Sequence, residues 1–143
     1  MIIPDINLLI YAHISSMPQH VAARAWWEGA IRSGEPIGLA WATLVGFVRI
    51  TTSRHILPEP LTVAEALTIT DEWLDSPVVH TVEPGRQHYQ LFSRLVRETP
   101  GGNLTTDAHL AALAIEHNAE LHSNDYDFGR FSGVRWVNPL AKA

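Results

Sequence analysis

The chain has 143 residues, with ten Lys and Arg against fifteen Asp and Glu, for a formal net charge of −5. That length is about one domain's worth, and a chain of this size buries roughly 68–70% of the surface it exposes when unfolded, so neither disulfides nor a structural metal are needed for folding. Apolar residues at 46% and charged residues at 17% exclude wholesale disorder, and the lack of cysteine excludes thiol catalysis, Cys-ligated zinc and iron–sulfur chemistry.

Met1-Ile2-Ile3-Pro4-Asp5 carries no basic n-region or small-residue cleavage site, and no apolar run approaches the ~18 residues of a membrane span, so a cytoplasmic protein without a membrane segment is expected. Net negative charge at first argues against a nucleic-acid partner, but its distribution matters more. Nine of the ten basic residues are Arg, the side chain that pairs bidentately with phosphate. Four of the six Asp are Asp5, Asp107, Asp125 and Asp127, and with these set aside the rest of the chain is close to neutral. Acidity concentrated in so few positions suits a cation site better than a repelling surface.

In chain order, Met1–Pro4 reads as a buried strand, and Asp5 is placed to cap a helix running to Ala12. A second helix is expected from about Pro18 to Ile31, on the spacing of Val21, Ala22, Ala25, Trp26 and Ala30. Trp26 and Trp27 are adjacent and cannot both face inward, so one of them is expected in a protein–protein surface. After the turn Ser33-Gly34-Glu35-Pro36, Ile37–Ala40 reads as a buried strand. Trp41–Thr52 fits a helix with Thr43, Gly46, Phe47 and Ile50 on one face, and Arg54–Pro60 is a connector. Thr62-x-x-Glu65 is a capping box opening a helix to about Leu74, followed by a strand over Val78–Val82. Pro84 is expected at the first position of the next helix, with His88, Leu91, Phe92 and Leu95 facing the core. Its other side carries Arg86, Arg94 and Arg97, a pattern more often a solvated face than an RNA track. Pro100-Gly101-Gly102-Asn103 ends it, and Asp107–His117 follows as a helix apolar nearly all round except for His109, hence buried. Ala119–His122 is a fourth strand and Val134–Val137 a candidate fifth. Strands alternating with helices give a single α/β domain over residues 1–143, three layers deep (α/β/α), with a central, mainly parallel sheet of four to five strands.

In a parallel sheet, ligands bind beyond the carboxyl ends of the strands. Asp5 follows strand one directly, Asp125 lies three residues after the strand ending at His122, and a crossover helix starting near Asp107 begins at the same edge. Each Asp is also suited to capping a helix or shaping a turn. Together, though, they repel, and such a cluster is costly unless a cation sits there. An all-oxygen set with no Cys and no HExxH spacing points to Mg²⁺ or Mn²⁺ rather than zinc, an ion able to activate water against a phosphodiester. His13, His109, His117 and His122 show no ligand spacing with one another. Thr105 and Thr106 read as helix-capping residues.

Three segments in order, Asp5-Ile6-Asn7-Leu8-Leu9, Thr106-Asp107-Ala108-His109-Leu110-Ala111-Ala112-Leu113-Ala114 and Ser123-Asn124-Asp125-Tyr126-Asp127-Phe128, resemble a PIN-domain ribonuclease of the VapC type, and the pattern continues into Gly133-Val134-Arg135-Trp136-Val137-Asn138-Pro139. The resemblance implies a Mg²⁺-dependent RNA endonuclease cutting structured RNA such as tRNA or rRNA. It also implies a toxin that forms a homodimer and is neutralised by a cognate VapB-type antitoxin. By position, Asp5, Asp107 and Asp125 match the family's metal-binding acids, with Asp127 behind them or as an alternate ligand. One position departs from the family: Gly46 stands where a Glu is usual, three residues before Arg49. Arg49 is expected either to contact phosphate or to balance the Asp cluster. Asn7 either hydrogen-bonds a water on the ion or caps the first helix, and Ser123 with Asn124 either positions the phosphate or shapes the turn. Two rival readings stand beside the nuclease. One is a catalytically weak RNA- or antitoxin-binding module crippled at Gly46. The other is a haloacid-dehalogenase-like phosphatase, which needs a second Asp at position 7, where this chain has Asn7.

Overall fold

The computed structural model describes residues 1–102 and 104–141, so Asn103 in the expected Gly-rich break lies outside the described residues. Five short strands, β1 (Ile2–Pro4), β2 (Ile37–Ala40), β3 (Val79–Val82), β4 (Glu120–His122) and β5 (Arg135–Val137), form one sheet in the order β3-β2-β1-β4-β5. Every pairing is parallel. The chain moves outward from β1 through β2 to β3 and then returns to the far side of β1 for β4. The strand order therefore reverses between β1 and β4, and a parallel sheet opens a crevice at the carboxyl edge of such a reversal.

Helices α1 (Ile6–His13), α2 (His20–Arg32), α3 (Trp41–Thr51) and α4 (Val63–Asp75) cover one face of the sheet, and α5 (His88–Glu98) and α6 (Thr105–Glu116) cover the other. Residues alternate between the two cores as the pleat requires. Ile37, Leu39 and Val79 join Leu9, Trp27 and Phe47 under α1–α4, while Ile3, Ala40, Val82 and Leu121 join Leu95 and Leu113 under α5 and α6. Gly38 allows close approach within the sheet, since a Cβ there would fall 2.7 Å from Val82 Cγ1.

The capping box at α4 forms as expected: Thr62 Oγ1 accepts from Glu65 N at 3.1 Å, and Glu65 Oε1 accepts from Thr62 N at 2.9 Å. Two local expectations are corrected. In α2 the helix is present but its buried face is Ala23, Trp27 and Ala30, one residue on from the face read from the spacing, and Val21 is 81% exposed. The aromatic packing of Trp27 outweighs the aliphatic periodicity there. Pro84 does not open α5, which begins at His88. Gly85 N donates to Glu116 Oε2 at 2.9 Å, and His88 N donates back to Gly85 O at 3.2 Å, so α6 holds this segment as a turn. The adjacent tryptophans divide as their spacing demands. Trp27 is buried, while Trp26 is half-buried and donates from Nε1 to His122 Nδ1 at 3.2 Å.

Trp27, Phe47 and Trp73 pack edge-on around the His13 ring. Leu9 O accepts from Nδ1–H at 2.8 Å, and Nε2 accepts from Trp73 Nε1 at 3.1 Å, which leaves no room for a second ring proton. Burial pushes the His13 pKa down to about 4 from an ordinary 6.5. An unfolded chain therefore takes up this proton before the folded one does. The stability it contributes is complete above pH 6.5 and is lost as pH falls towards 4. We expect wild type to lose about 2 kcal/mol more than His13→Gln between pH 7 and pH 4.5 in urea unfolding. Equal losses in the two proteins would show that His13 does not titrate differently on folding.

Candidate functional site

β1 and β4 deliver their next residues to the crevice. Asp5 N donates to His122 O at 2.8 Å, which continues the ladder one step beyond β1 and fixes Asp5 at the switch point. Asp5 occupies the N-cap position of α1, yet its side chain makes no capping bond. Its Oδ2 instead accepts from Ser123 Oγ at 2.8 Å, and the same hydroxyl oxygen accepts from Asp125 N at 3.0 Å. Asp125 Oδ1 then caps the 3₁₀ turn Tyr126–Arg130 by accepting from Asp127 N at 2.9 Å. Trp136 Nε1 donates to Ser123 O at 2.9 Å and ties this loop to β5. Ser123 is wholly buried. It holds Asp5 and Asp125 from behind, which agrees with the turn-shaping alternative.

Asp107 arrives on the first turn of α6, which starts two residues earlier than expected, at Thr105. It shares a cleft of about 140 Å³ with Asp5, Gly46, Arg49, Thr106 and His109. Asp125 and Asp127 line a neighbouring cleft of about 340 Å³ with Asn7 and Tyr126. Asn7 therefore opens onto Asp125 and Asp127, not onto Asp107. Ser123 joins the two halves, because it donates to the Asp5 carboxylate and accepts from the Asp125 backbone N–H.

The charges are close enough to act on one another. Burial, and after it the charges of Asp5, Asp125 and Asp127, raise the Asp107 pKa from 3.8 to about 6. Burial also raises Asp5, opposed by its bond from Ser123 and reinforced by Asp125. Among the described residues, the ion pair reaching these four carboxylates is Arg130 Nε with Asp127 Oδ1 at 3.5 Å, an exposed contact. Arg49 is exposed at the mouth of the first cleft and has no ion pair among the described residues. Arg94 is instead engaged by Glu98 and Ser132, which agrees with a solvated face on α5. The donor set is all oxygen and suits a hard divalent cation. Among the described residues no three His, Asp or Glu side chains converge closely enough to hold an ion as they stand.

At Gly46 the expected departure has a structural counterpart. A Cβ there would lie 2.7 Å from Ile6 Cδ1, so the Ile6 side chain fills the space beside the glycine. Sequence reasoning missed one arrangement altogether. His88 Nδ1 lies 2.5 Å from Glu116 Oε1, and His88 Nε2 lies 2.8 Å from His109 Nδ1, with His109 on the wall of the Asp107 cleft. These residues are 28 and 21 positions apart, and no local spacing announces them.

A parallel sheet with acidic residues gathered at its switch point, flanked by six helices, defines a small α/β domain built around a cation-attracting rim. A PIN domain profile matches residues 2–134, and the chain belongs to the PIN domain family. Ribonuclease VapC33 of Mycobacterium tuberculosis is 45% identical over 141 residues, covering 98% of this chain and 99% of that protein. Ribonuclease VapC37 of the same organism is 41% identical over 140 residues, covering 97% of each. Among solved structures, VapBC2 from Rickettsia felis bound to a promoter DNA fragment superposes with a TM-score of 0.72 at 18% identity, covering 96% of this chain and 98% of that one. Mycobacterium tuberculosis VapC20, a sarcin–ricin loop cleaving toxin, gives 0.65 at 19% identity, covering 94% and 99%. At such identities the structural likeness shows the fold alone.

The raised Asp107 pKa carries a sign. A carboxyl group that holds its proton better when folded contributes stability below its unfolded value, and that contribution is lost as pH rises through the folded value near 6. Above pH 7 the ionised group therefore weakens the fold. Asp107→Asn is expected to raise unfolding stability by about 1 kcal/mol at pH 7.5 without divalent cations, the figure being reduced for solvent screening. The gain should vanish at pH 4. A loss of stability at pH 7.5 would show that Asp107 is not under repulsion.

Proposed function

We propose that this protein is a metal-dependent endoribonuclease acting as the toxin of a toxin–antitoxin pair. The observation that carries the reading is the meeting of Asp5, Asp107 and Asp125, from three distant parts of the chain, at the switch point of a PIN fold. The names of the VapC33 and VapC37 relatives support the reaction class. Asp5, Asp107 and Asp125 would hold Mg²⁺ or Mn²⁺, with Asp127 able to join through the adjoining cleft. When bound, the ion would relieve the repulsion among the acids and supply an activated water and charge stabilisation for phosphodiester hydrolysis. Ser123 keeps Asp5 and Asp125 oriented, Arg49 meets the RNA backbone at the cleft mouth, and Asn7 hydrogen-bonds within the second cleft. Structured RNA, tRNA or rRNA, is the substrate class of this reading, and VapC20's sarcin–ricin loop cleavage agrees with it.

A protein partner has a surface to occupy. Trp41, Val45, Leu67 and Leu74, all exposed, line an apolar groove of about 550 Å³ between α3 and α4 that ends at Arg49. In this reading a VapB-type antitoxin segment lies along that groove and reaches the acidic cleft through Arg49, and the toxin itself is a homodimer. Solved relatives of this fold include VapBC complexes from Rickettsia felis and Salmonella typhimurium.

Purified protein incubated with total RNA and Mg²⁺ is expected to give discrete fragments, which disappear with chelator and in Asp5→Asn. Mg²⁺ should also raise the unfolding stability of wild type, by about 2.7 kcal/mol at a hundred times its dissociation constant, and leave Asp5→Asn far less affected. Absence of both effects would remove the nuclease reading.

One observation favours a second reading, a weakly cleaving binding module: Ile6 occupies the ground where the family Glu would project. The two are separated by a double substitution. Gly46→Glu with Ile6→Val, which removes the obstructing Cδ1, is expected to change the cleavage rate less than threefold if the natural site is competent. A gain of a hundredfold or more would mark the natural site as crippled.

A further inference from the structure

The Glu116–His88–His109 chain lies outside the acidic set, and its hydrogen bonds couple the proton positions of the two rings. Glu116 is held in place first. Its Oε2 accepts from Gly85 N at 2.9 Å, an approach that needs glycine, because a Cβ at position 85 would fall 2.6 Å from that oxygen. Its side chain is 10% exposed and that of His88 13%. A carboxylate can only accept, so Nδ1 of His88 carries the proton facing Glu116 Oε1. The 2.8 Å contact needs one ring nitrogen to accept, and with Nε2 of His88 accepting, His109 Nδ1 is the donor. That leaves the lone pair of the His109 ring on Nε2. Nε2 has no hydrogen-bond partner among the described residues, and His109 lines the cleft that holds Asp5, Asp107 and Gly46.

We propose that Glu116 and His88 are positioning residues that fix His109 in its Nδ1–H tautomer, so that Nε2 faces the acidic cleft as a hydrogen-bond acceptor and orients the water that attacks RNA. The acceptor stands on the α6 wall of the cleft whose α3 wall, at Gly46, has no carboxylate. Free imidazole prefers no such arrangement on its own; the relay from a buried carboxylate imposes it. The inference deepens the nuclease reading and rests on it for the water's role, though not for the tautomer.

Two measurements test it. Long-range proton–nitrogen correlation spectra of the metal-free protein report each ring's tautomer, with His88 and His109 assigned from His88→Gln and His109→Gln. The expected result is Nδ1–H on both rings, with His109 turning to Nε2–H or to a mixture in Glu116→Ala. Nε2–H on His109 in wild type, or no change in Glu116→Ala, would overturn the proposal. The second measurement is single-turnover cleavage of total RNA with protein in excess, read as limiting rate and half-saturating concentration. Gln places an acceptor near the Nε2 position and Asn near Nδ1. His109→Asn should therefore lower the limiting rate by roughly ten- to a hundredfold, with half-saturation unchanged, and His109→Gln should restore most of it. Folding of both variants is checked by thermal unfolding, which a purely structural role would move in parallel with the rate. Equal rates for folded His109→Asn and wild type would sink this inference and leave the nuclease reading standing. Failure of wild type itself to cleave in Mg²⁺ or Mn²⁺ would sink both.

Discussion

One buried hydroxyl holds the site together. Ser123 sits at the reversal of strand order, donates to Asp5 and accepts from the Asp125 backbone, so the ends of β1 and β4 are joined by a side chain as well as by the ladder. A buried carboxylate without a donor would cost several kcal/mol or take up a proton. The Ser123 bond partly offsets the upward push that burial gives the Asp5 pKa. It also sets the start of the 3₁₀ turn, because the fixed Asp125 backbone aims that side chain at Asp127 N. Loss of this one oxygen would therefore reach both clefts at once.

The rest of the domain is arranged to tolerate the charge this creates. Repulsion at the carboxyl edge is set against two hydrophobic cores, one on each face of the sheet, that make no use of the acidic residues. The His13 cage belongs to the core under α1–α4 and excludes a second proton by geometry. Asp107 and His13 shift in opposite directions over much the same pH interval, so the pH profile of the whole protein is flatter than either group alone would make it. In the proposed reading a cation would relieve a rim that weakens the fold near neutral pH, and so link occupancy to stability in one step.

The sheet and its acidic rim were legible in the sequence because both follow from order alone. Alternating strands and helices force parallel pairing, parallel pairing sends every strand's carboxyl end to one edge, and Asp5, Asp107 and Asp125 each sit where an element meets that edge. What was not legible depends on contacts between distant residues. The face of α2 was misread because Trp27 packs on His13 and Trp73, an attraction invisible to aliphatic spacing. Pro84 carried a sound local signal for a helix start, and lost to a Glu116 carboxylate placed on Gly85 from another helix. Ser123 looked like a turn residue, with its bond to Asp5 lying 118 positions away.

Gly46 and Ile6 show how a departure from a family pattern is absorbed. Where a carboxylate is absent from α3, the Ile6 side chain fills the space beside Gly46, so a side chain at position 46 requires Ile6 to shift. The cleft is then apolar around Gly46 and Ile6, and polar where Thr43 and Arg49 line it from α3 and Asp107, Thr106 and His109 line it from α6. That asymmetry bears on any water held there. With no carboxylate on the glycine side, the proposed reading gives its orientation to the α6 side, where an imidazole braced by a buried carboxylate would be an acceptor that adds no negative charge to an already repulsive rim. A glutamate at the same task would raise the repulsion on Asp107, and a histidine does not.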